Sequence, residues 1–275
     1  MEIPGRSVLV TGAGNGIGAA LALRLAAERP RVVLVSDLDA DAAGAVADRV
    51  RALGVAAVAV RTDVSDPDQV RELVALAERD HGGADLICSN AGVATGMGVH
   101  ASPAQWADSW SVNVMAHVHL AQAALPGMSR RRGGHLLITA SGVGLLGLPG
   151  DAPYTVTKHA AVALAEWLAC SYGHLGIGVS ALCPMGVRTD FLMPGVEAGH
   201  PAARAITATA PIIEPEQVAE AAVAGIAEDR FLILPHPEVG VLHARRAADL
   251  ETWVAERRAA ATARRGAGRR AQPTP

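Results

Sequence analysis

Seven short apolar runs recur along this chain, and none alternates with polar residues: Val8–Thr11, Val32–Ser36, Val55–Val60, Asp85–Cys88, His135–Ala140, Val179–Cys183 and Phe231–Leu234. Strands with one wet face alternate, whereas strands covered on both faces read as continuous runs. Between them lie longer amphipathic stretches, read as helices over Ile17–Glu28, Asp41–Leu53, Asp66–His81, Pro103–Met128, Pro153–Gly173 and Glu216–Asp229. Gly54 suits the position after the second helix, and Gly82-Gly83 stops the third. Ser65 is the expected N-cap of that third helix, and Ser102 with Gln105 reads as a capping box before the fourth. Alternating strands and helices imply a parallel sheet with helices on both faces. Right-handed crossovers then give a doubly wound, Rossmann-like α/β fold of about seven strands in a single domain.

Half of the 275 residues are apolar, yet Phe, Tyr and Trp make up only 3%, so Ala, Val and Leu must build the core. Cys88, Cys170 and Cys183 have no metal or redox spacing, which fits free thiols in the cytoplasm. His117 and His119 suit ordinary helix positions, and no metal site is expected. No apolar run reaches membrane-spanning length, and no signal peptide is evident near Glu2. The net charge of −3 is unevenly spread, because residues 244–275 hold eight arginines against Asp249, Glu251 and Glu256. That segment is read as a basic helix fraying into a disordered tail rather than a nucleic-acid contact.

The first strand runs into Thr11-Gly12-Ala13-Gly14-Asn15-Gly16-Ile17-Gly18. Glycines at such a place let a backbone turn approach a pyrophosphate, and the next helix aims its N-terminus at the anion. Asp37 ends the second strand, where a carboxylate can accept hydrogen bonds from ribose hydroxyls and repel a 2′-phosphate. With no cation at Leu38 or Asn15, NAD is expected over NADP. Asp63-Val64 after the third strand could meet the adenine, and Asn90-Ala91-Gly92 after the fourth would border the nucleotide.

Lys158 is the only lysine among 24 basic residues. It lies four residues after Tyr154, hence on the same helical face. A phenol titrates near pH 10, and a neighbouring ammonium favours the phenolate, so Tyr154 is the candidate general acid/base. Ser141, at the end of the fifth strand, can hold a substrate oxygen. Asn113, a poor helix former inside a helix, could hold a water between Lys158 and solvent.

In order and spacing these residues resemble the short-chain dehydrogenase/reductase family, over about residues 6–235. The resemblance implies that Asn113, Ser141, Tyr154 and Lys158 form a catalytic tetrad. It implies that Tyr154 and Lys158 also touch the cofactor, with Lys158 on the nicotinamide ribose, and that Val187 and Thr189 hold the carboxamide and pyrophosphate. It further implies strand order 3-2-1-4-5-6-7 and a homotetramer or homodimer. Two departures stand out: Ser89 replaces the first Asn of the family's Asn-Asn-Ala-Gly, and Met185 replaces the Gly of its Pro-Gly.

Residues 1–243 are thus read as one dinucleotide-binding catalytic domain, with a substrate loop at about 185–213. Gly142–Pro149 together with Met185, Phe191, Leu192 and Met193 could line an apolar pocket. The expected activity is NAD-dependent interconversion of a hydrophobic secondary alcohol and a ketone. An NADP-dependent biosynthetic ketoreductase and a non-enzymatic dinucleotide sensor are the alternatives, and a full tetrad argues against the sensor.

Overall fold

The computed structural model describes residues 1–259. Its seven strands are β1 Ser7–Thr11, β2 Val32–Asp37, β3 Ala56–Arg61, β4 Leu86–Ser89, β5 Gly134–Thr139, β6 Ile177–Leu182 and β7 Leu232–Ile233. They form one sheet in the order β3-β2-β1-β4-β5-β6-β7, and every neighbouring pair is parallel. The direction of winding reverses between β1 and β4, so a crevice opens at the C-terminal ends of those strands.

Continuous apolar runs are what this sheet requires, because each strand feeds two cores. Val8 and Val10 point into one core while Leu9 points into the other, and Val33 and Val35 oppose Val32 and Leu34 in the same way. The first core is closed by helices α1 Gly16–Ala27, α2 Ala40–Ala52 and α10 Pro215–Ala227. The second is closed by α3 Pro67–His81, α5 Ala116–Arg131 and α7 Ala152–Tyr172. The largest fully buried side chains are Leu, Ile and Met, with no aromatic ring among them, as the composition demands. Each such side chain contributes roughly 1.5–3 kcal/mol of transfer free energy.

Several expectations are corrected. Asp66, not Ser65, caps α3: its carboxylate accepts from Asp68 N and Gln69 N, while Pro67 takes the first helical position. The expected fourth helix is not continuous. It splits into α4 Pro103–Trp110, a π turn over Ser111–Met115 and α5, with Ser102 and Gln105 forming the expected box. The substrate segment contains two short helices, α8 Met193–Glu197 and α9 Pro201–Thr207. Gly142–Pro149 does not form a pocket wall. It holds a short helix, α6 Val143–Leu146, whose Val143, Leu145 and Leu146 are buried in the second core, as is Leu148. A helix α11 spans Pro237–Ala248 and runs into the basic segment with Arg245 and Arg246, and residues 250–259 are helical. The expected disordered tail, from residue 260 on, lies outside the described residues.

Candidate active site

The glycine turn leaves β1 with Gly12 at φ +61, a conformation that strains any residue with a side chain; a Cβ there would also lie 2.7 Å from Ala91 Cα. A Cβ on Gly18 would collide with the Gly12 carbonyl oxygen. Turn and β4 are thus pressed together, and polar bonds lock them. Asn90 Nδ2 donates to Thr11 O (3.1 Å) and Gly12 O (3.2 Å), and Asn90 N donates to Thr11 Oγ1 at 3.0 Å. Asp37 accepts from Gly14 N at 2.8 Å and Asp39 N at 3.0 Å, which holds its carboxylate beside the turn. Thr189 packs against Gly16 from the other side. The cradle therefore has the form a dinucleotide pyrophosphate needs: close backbone and a helix N-terminus, with the Asp37 carboxylate held beside them.

Asp63 and Val64 are held in the turn that follows β3. The Asp63 carboxylate accepts from Ser65 N (2.9 Å) and Ser65 Oγ (2.6 Å), so it stabilises its own turn. Val64 is buried in the second core.

Ser141, Tyr154 and Lys158 meet where β5 ends and α7 begins, in a cleft also lined by Asn15, Ile17, Asn90 and Gly92. Ser141 Oγ is fixed by Val143 N (3.1 Å) and by donation to Pro184 O (3.3 Å), and it faces the same cleft as Tyr154. Lys158 is buried, and its Nζ donates to Thr139 O at 2.8 Å. Burial pulls the Lys158 pKa down to about 8 and pushes Tyr154 up to about 12, with nearby Ser141 pulling Tyr154 the other way. The ammonium, 5.7 Å from the Tyr154 ring centre, thus does not by itself make the phenol acidic, contrary to the simple sequence argument. At neutral pH the chain presents a protonated phenol.

Asn113 sits in the π turn, a helical defect often found at functional sites. Both Nδ2 hydrogens are taken, by Val93 O (2.9 Å) and Thr157 Oγ1 (3.1 Å), and Oδ1 accepts from Val93 N at 2.8 Å. A Cβ on Gly92 would lie 3.3 Å from both Asn113 Oδ1 and Lys158 Nζ, so the two groups face one small space that only glycine leaves open.

Asp151 and Ile206 escaped the sequence reading. Asp151 is buried and accepts from Tyr154 N, Thr95 N, Thr95 Oγ1 and Gly96 N at 2.6–3.1 Å. Its place three residues before Tyr154 is an N-cap signal that could have been found. Ser89 bonds His117 Nδ1 at 2.5 Å, and burial drives that imidazole down to about 3, so the pair is neutral. Ile206, from α9, joins Met185, Phe191 and Leu192 in the cleft wall. Met185 also fills the space beside Gly142, its Cε lying 2.7 Å from where a Cβ would be.

The short chain dehydrogenase family profile matches residues 6–198. The chain belongs to the short-chain dehydrogenase/reductase family. Mouse (Mus musculus) 17-beta-hydroxysteroid dehydrogenase 13 is 31% identical over 236 residues, covering 84% of this chain and 74% of the relative. The 3-oxoacyl-[acyl-carrier-protein] reductase FabG of Staphylococcus aureus is 32% identical over 186 residues, 67% of this chain and 76% of the relative. The crystal structure of a family member from Burkholderia phymatum in complex with NAD superposes with a TM-score of 0.81 at 32% identity, over 92% of this chain and 96% of the other. Within this family the fold, the oxidoreductase class and a nicotinamide dinucleotide cofactor are secure. Among the described residues no helix is long and apolar enough to cross a membrane.

Proposed function

We propose that this dehydrogenase interconverts a hydrophobic secondary alcohol and its ketone with NAD, using Tyr154 as general acid/base. The carrying observation is the cleft: Ser141 and Tyr154 line it together, Met185, Phe191, Leu192 and Ile206 wall it, and among the described residues Lys158 is the one charged side chain lining it. Among the described residues, no surface cation lines it to meet a substrate carboxylate or phosphate. The steroid dehydrogenase relative, named for a hydrophobic substrate, supports the same reading.

The cofactor supplies or accepts the hydride. Ser141 Oγ orients the substrate oxygen. In the reducing direction the Tyr154 phenol donates its proton to that oxygen, and in the oxidising direction the same atom takes it back. Lys158 and Asn113, facing the space at Gly92, are the path by which that proton is exchanged with water. Asn15, Gly16, Ile17, Asn90, Ala91, Gly92, Asp63 and Val64 border the cofactor, Lys158 holds the nicotinamide ribose, and Val187 and Thr189 meet the carboxamide and pyrophosphate.

Asp37 supports NAD, because its held carboxylate repels a 2′-phosphate. One observation favours the other cofactor: exposed Arg61 is in register with Asp37 on β3. An NADP-dependent biosynthetic ketoreductase is therefore the second reading, in line with the FabG resemblance. The unpaired thiols at Cys88, Cys170 and Cys183 support a cytoplasmic enzyme. An exposed stripe of Val156, Ala163, Trp167 and Cys170 on α7 supports assembly of like subunits into a dimer or tetramer.

The test is Tyr154→Phe, assayed across alkyl, cyclic and steroidal alcohols and ketones. We expect turnover to fall by about 100-fold or more with NADH affinity unchanged. Retention of ordinary turnover would defeat the mechanism, and tighter binding of NADPH than NADH by the wild type would reassign the cofactor.

A further inference from the structure

We propose that His236 is a positioning residue that fixes the substrate lobe, residues 185–213, over the active site; this rests on reading that lobe as the substrate wall. The lobe leaves the fold after β6 and returns to it before α10. Its two ends meet in a single bridge, Val187 with Ile213, supported by Arg188 N to Ile213 O (2.9 Å) and Ile213 N to Gly186 O (3.0 Å). His236 enters this junction from a distant part of the chain, between β7 and α11, and is only 1% exposed.

Its imidazole touches both stems. Met185 N donates to Nδ1 at 3.1 Å, and Nε2 lies 3.1 Å from Gly186 O and 3.1 Å from Pro211 O. A backbone N–H can only donate, so Nδ1 must accept, and the one proton of a neutral ring sits on Nε2, shared between the two carbonyls. All the ring's polar capacity is thus spent on the lobe. Burial favours this neutral form, opposed by the two carbonyl contacts and by Glu238 on α11, the charged group that acts on the ring. An imidazolium would set a second N–H against the Met185 N–H.

The consequence reaches the chemistry. Met185 is the first residue of the lobe and lines the cleft. Its methyl group and Val239, three residues after His236, both press on the space beside Gly142, next to Ser141. Holding the Met185 backbone therefore holds the substrate wall where it meets the Ser141 loop. Val187 keeps its own anchorage through Ile213, and Thr189 Oγ1 donates to Val187 O at 3.3 Å, so the cofactor side is less dependent on the ring.

The test compares wild type with His236→Leu by steady-state kinetics and by hydrogen exchange. In the Leu variant the ketone KM should rise about tenfold while kcat changes less than threefold, the pattern of lost substrate positioning. Backbone amides in 185–213 should exchange faster, with protection in β1 to β5 unchanged. Unaltered KM and unaltered lobe exchange overturn the proposal. If the wild type reduces no ketone, the functional reading fails, and lobe exchange alone decides the role of His236. Should the Leu variant not fold, His236→Gln carries the test. Its amide can donate to Gly186 O and Pro211 O but leaves Met185 N without an acceptor, so faster exchange and raised KM support the role, and wild-type values for both sink it.

Discussion

Lys158 carries an ammonium almost wholly out of water, 2% exposed, on one carbonyl bond to Thr139. Its pKa of about 8 lies below the ordinary value of 10.5 because burial disfavours the charge. Between those two values the unfolded chain binds a proton that the folded chain does not, so stability rises with pH through that window. Below pH 8 the buried charge is a standing cost. Lys158→Met should therefore abolish turnover yet raise Tm, by about 2–4 °C for each kcal/mol gained in a domain of this size. It should also lose the rise in stability above pH 8. Calorimetry at pH 7 and pH 9.5 checks both, and a Tm below wild type at pH 7 would show that the lysine is structural. At this scale the grouping of the three side chains was legible because Tyr154 and Lys158 are rare residue types at helical spacing, following Ser141 in order. The supports were not, because Asp151 finds Thr95 and His236 finds Met185 only across 56 and 51 positions of chain. The pKa directions were equally hidden, since they follow from burial rather than from neighbours in sequence.

Helix α7 shows how an element is made to serve a site. Its first turn is held by Asp151, whose carboxylate caps Tyr154 N and gathers Thr95 and Gly96 from the loop after β4, while Ala152 N donates to Met97 O at 2.9 Å. Beneath it, a Cβ on Gly144 of α6 would run into the Lys158 carbonyl, so α7 lies as close as backbone permits. Asp151→Ala removes the cap and leaves several donors unanswered, and should cost ~2–4 kcal/mol of stability in urea denaturation. It should also lower kcat about tenfold. Asp151→Asn keeps one carbonyl acceptor and should fall between. Equal kcat in all three proteins would detach the cap from catalysis. The strands were legible to within about two residues, because continuous apolar runs end at turn residues. The π turn was not, because Ser111 and Asn113 weaken a helix without specifying how its bonds shift. Nor was α6, where a short apolar glycine-rich run reads equally as pocket or core.

For the whole molecule, alternation of strand and helix was enough to foresee a doubly wound sheet, and the family resemblance supplied its order. Assembly is a matter for the outer surface. Trp167 is 60% exposed on a helix whose inner side is fully packed, and Tyr172 meets its ring edge-on at 6.2 Å. Apolar surface of this kind is what a like subunit would cover. Trp167→Arg should lower the mass measured by light scattering to a smaller species, with the monomer fold intact by circular dichroism; an unchanged mass would place the subunit contact elsewhere. The bridge between Val187 and Ile213 has a separate bearing on how such an enzyme can change. A segment whose ends already touch can lengthen or shorten without moving any strand, and doubling a flexible loop costs only about 0.6 kcal/mol in closure entropy. On the proposed function, selectivity is thereby stored in one exchangeable length of chain, while proton and hydride handling is spread across the sheet that holds it.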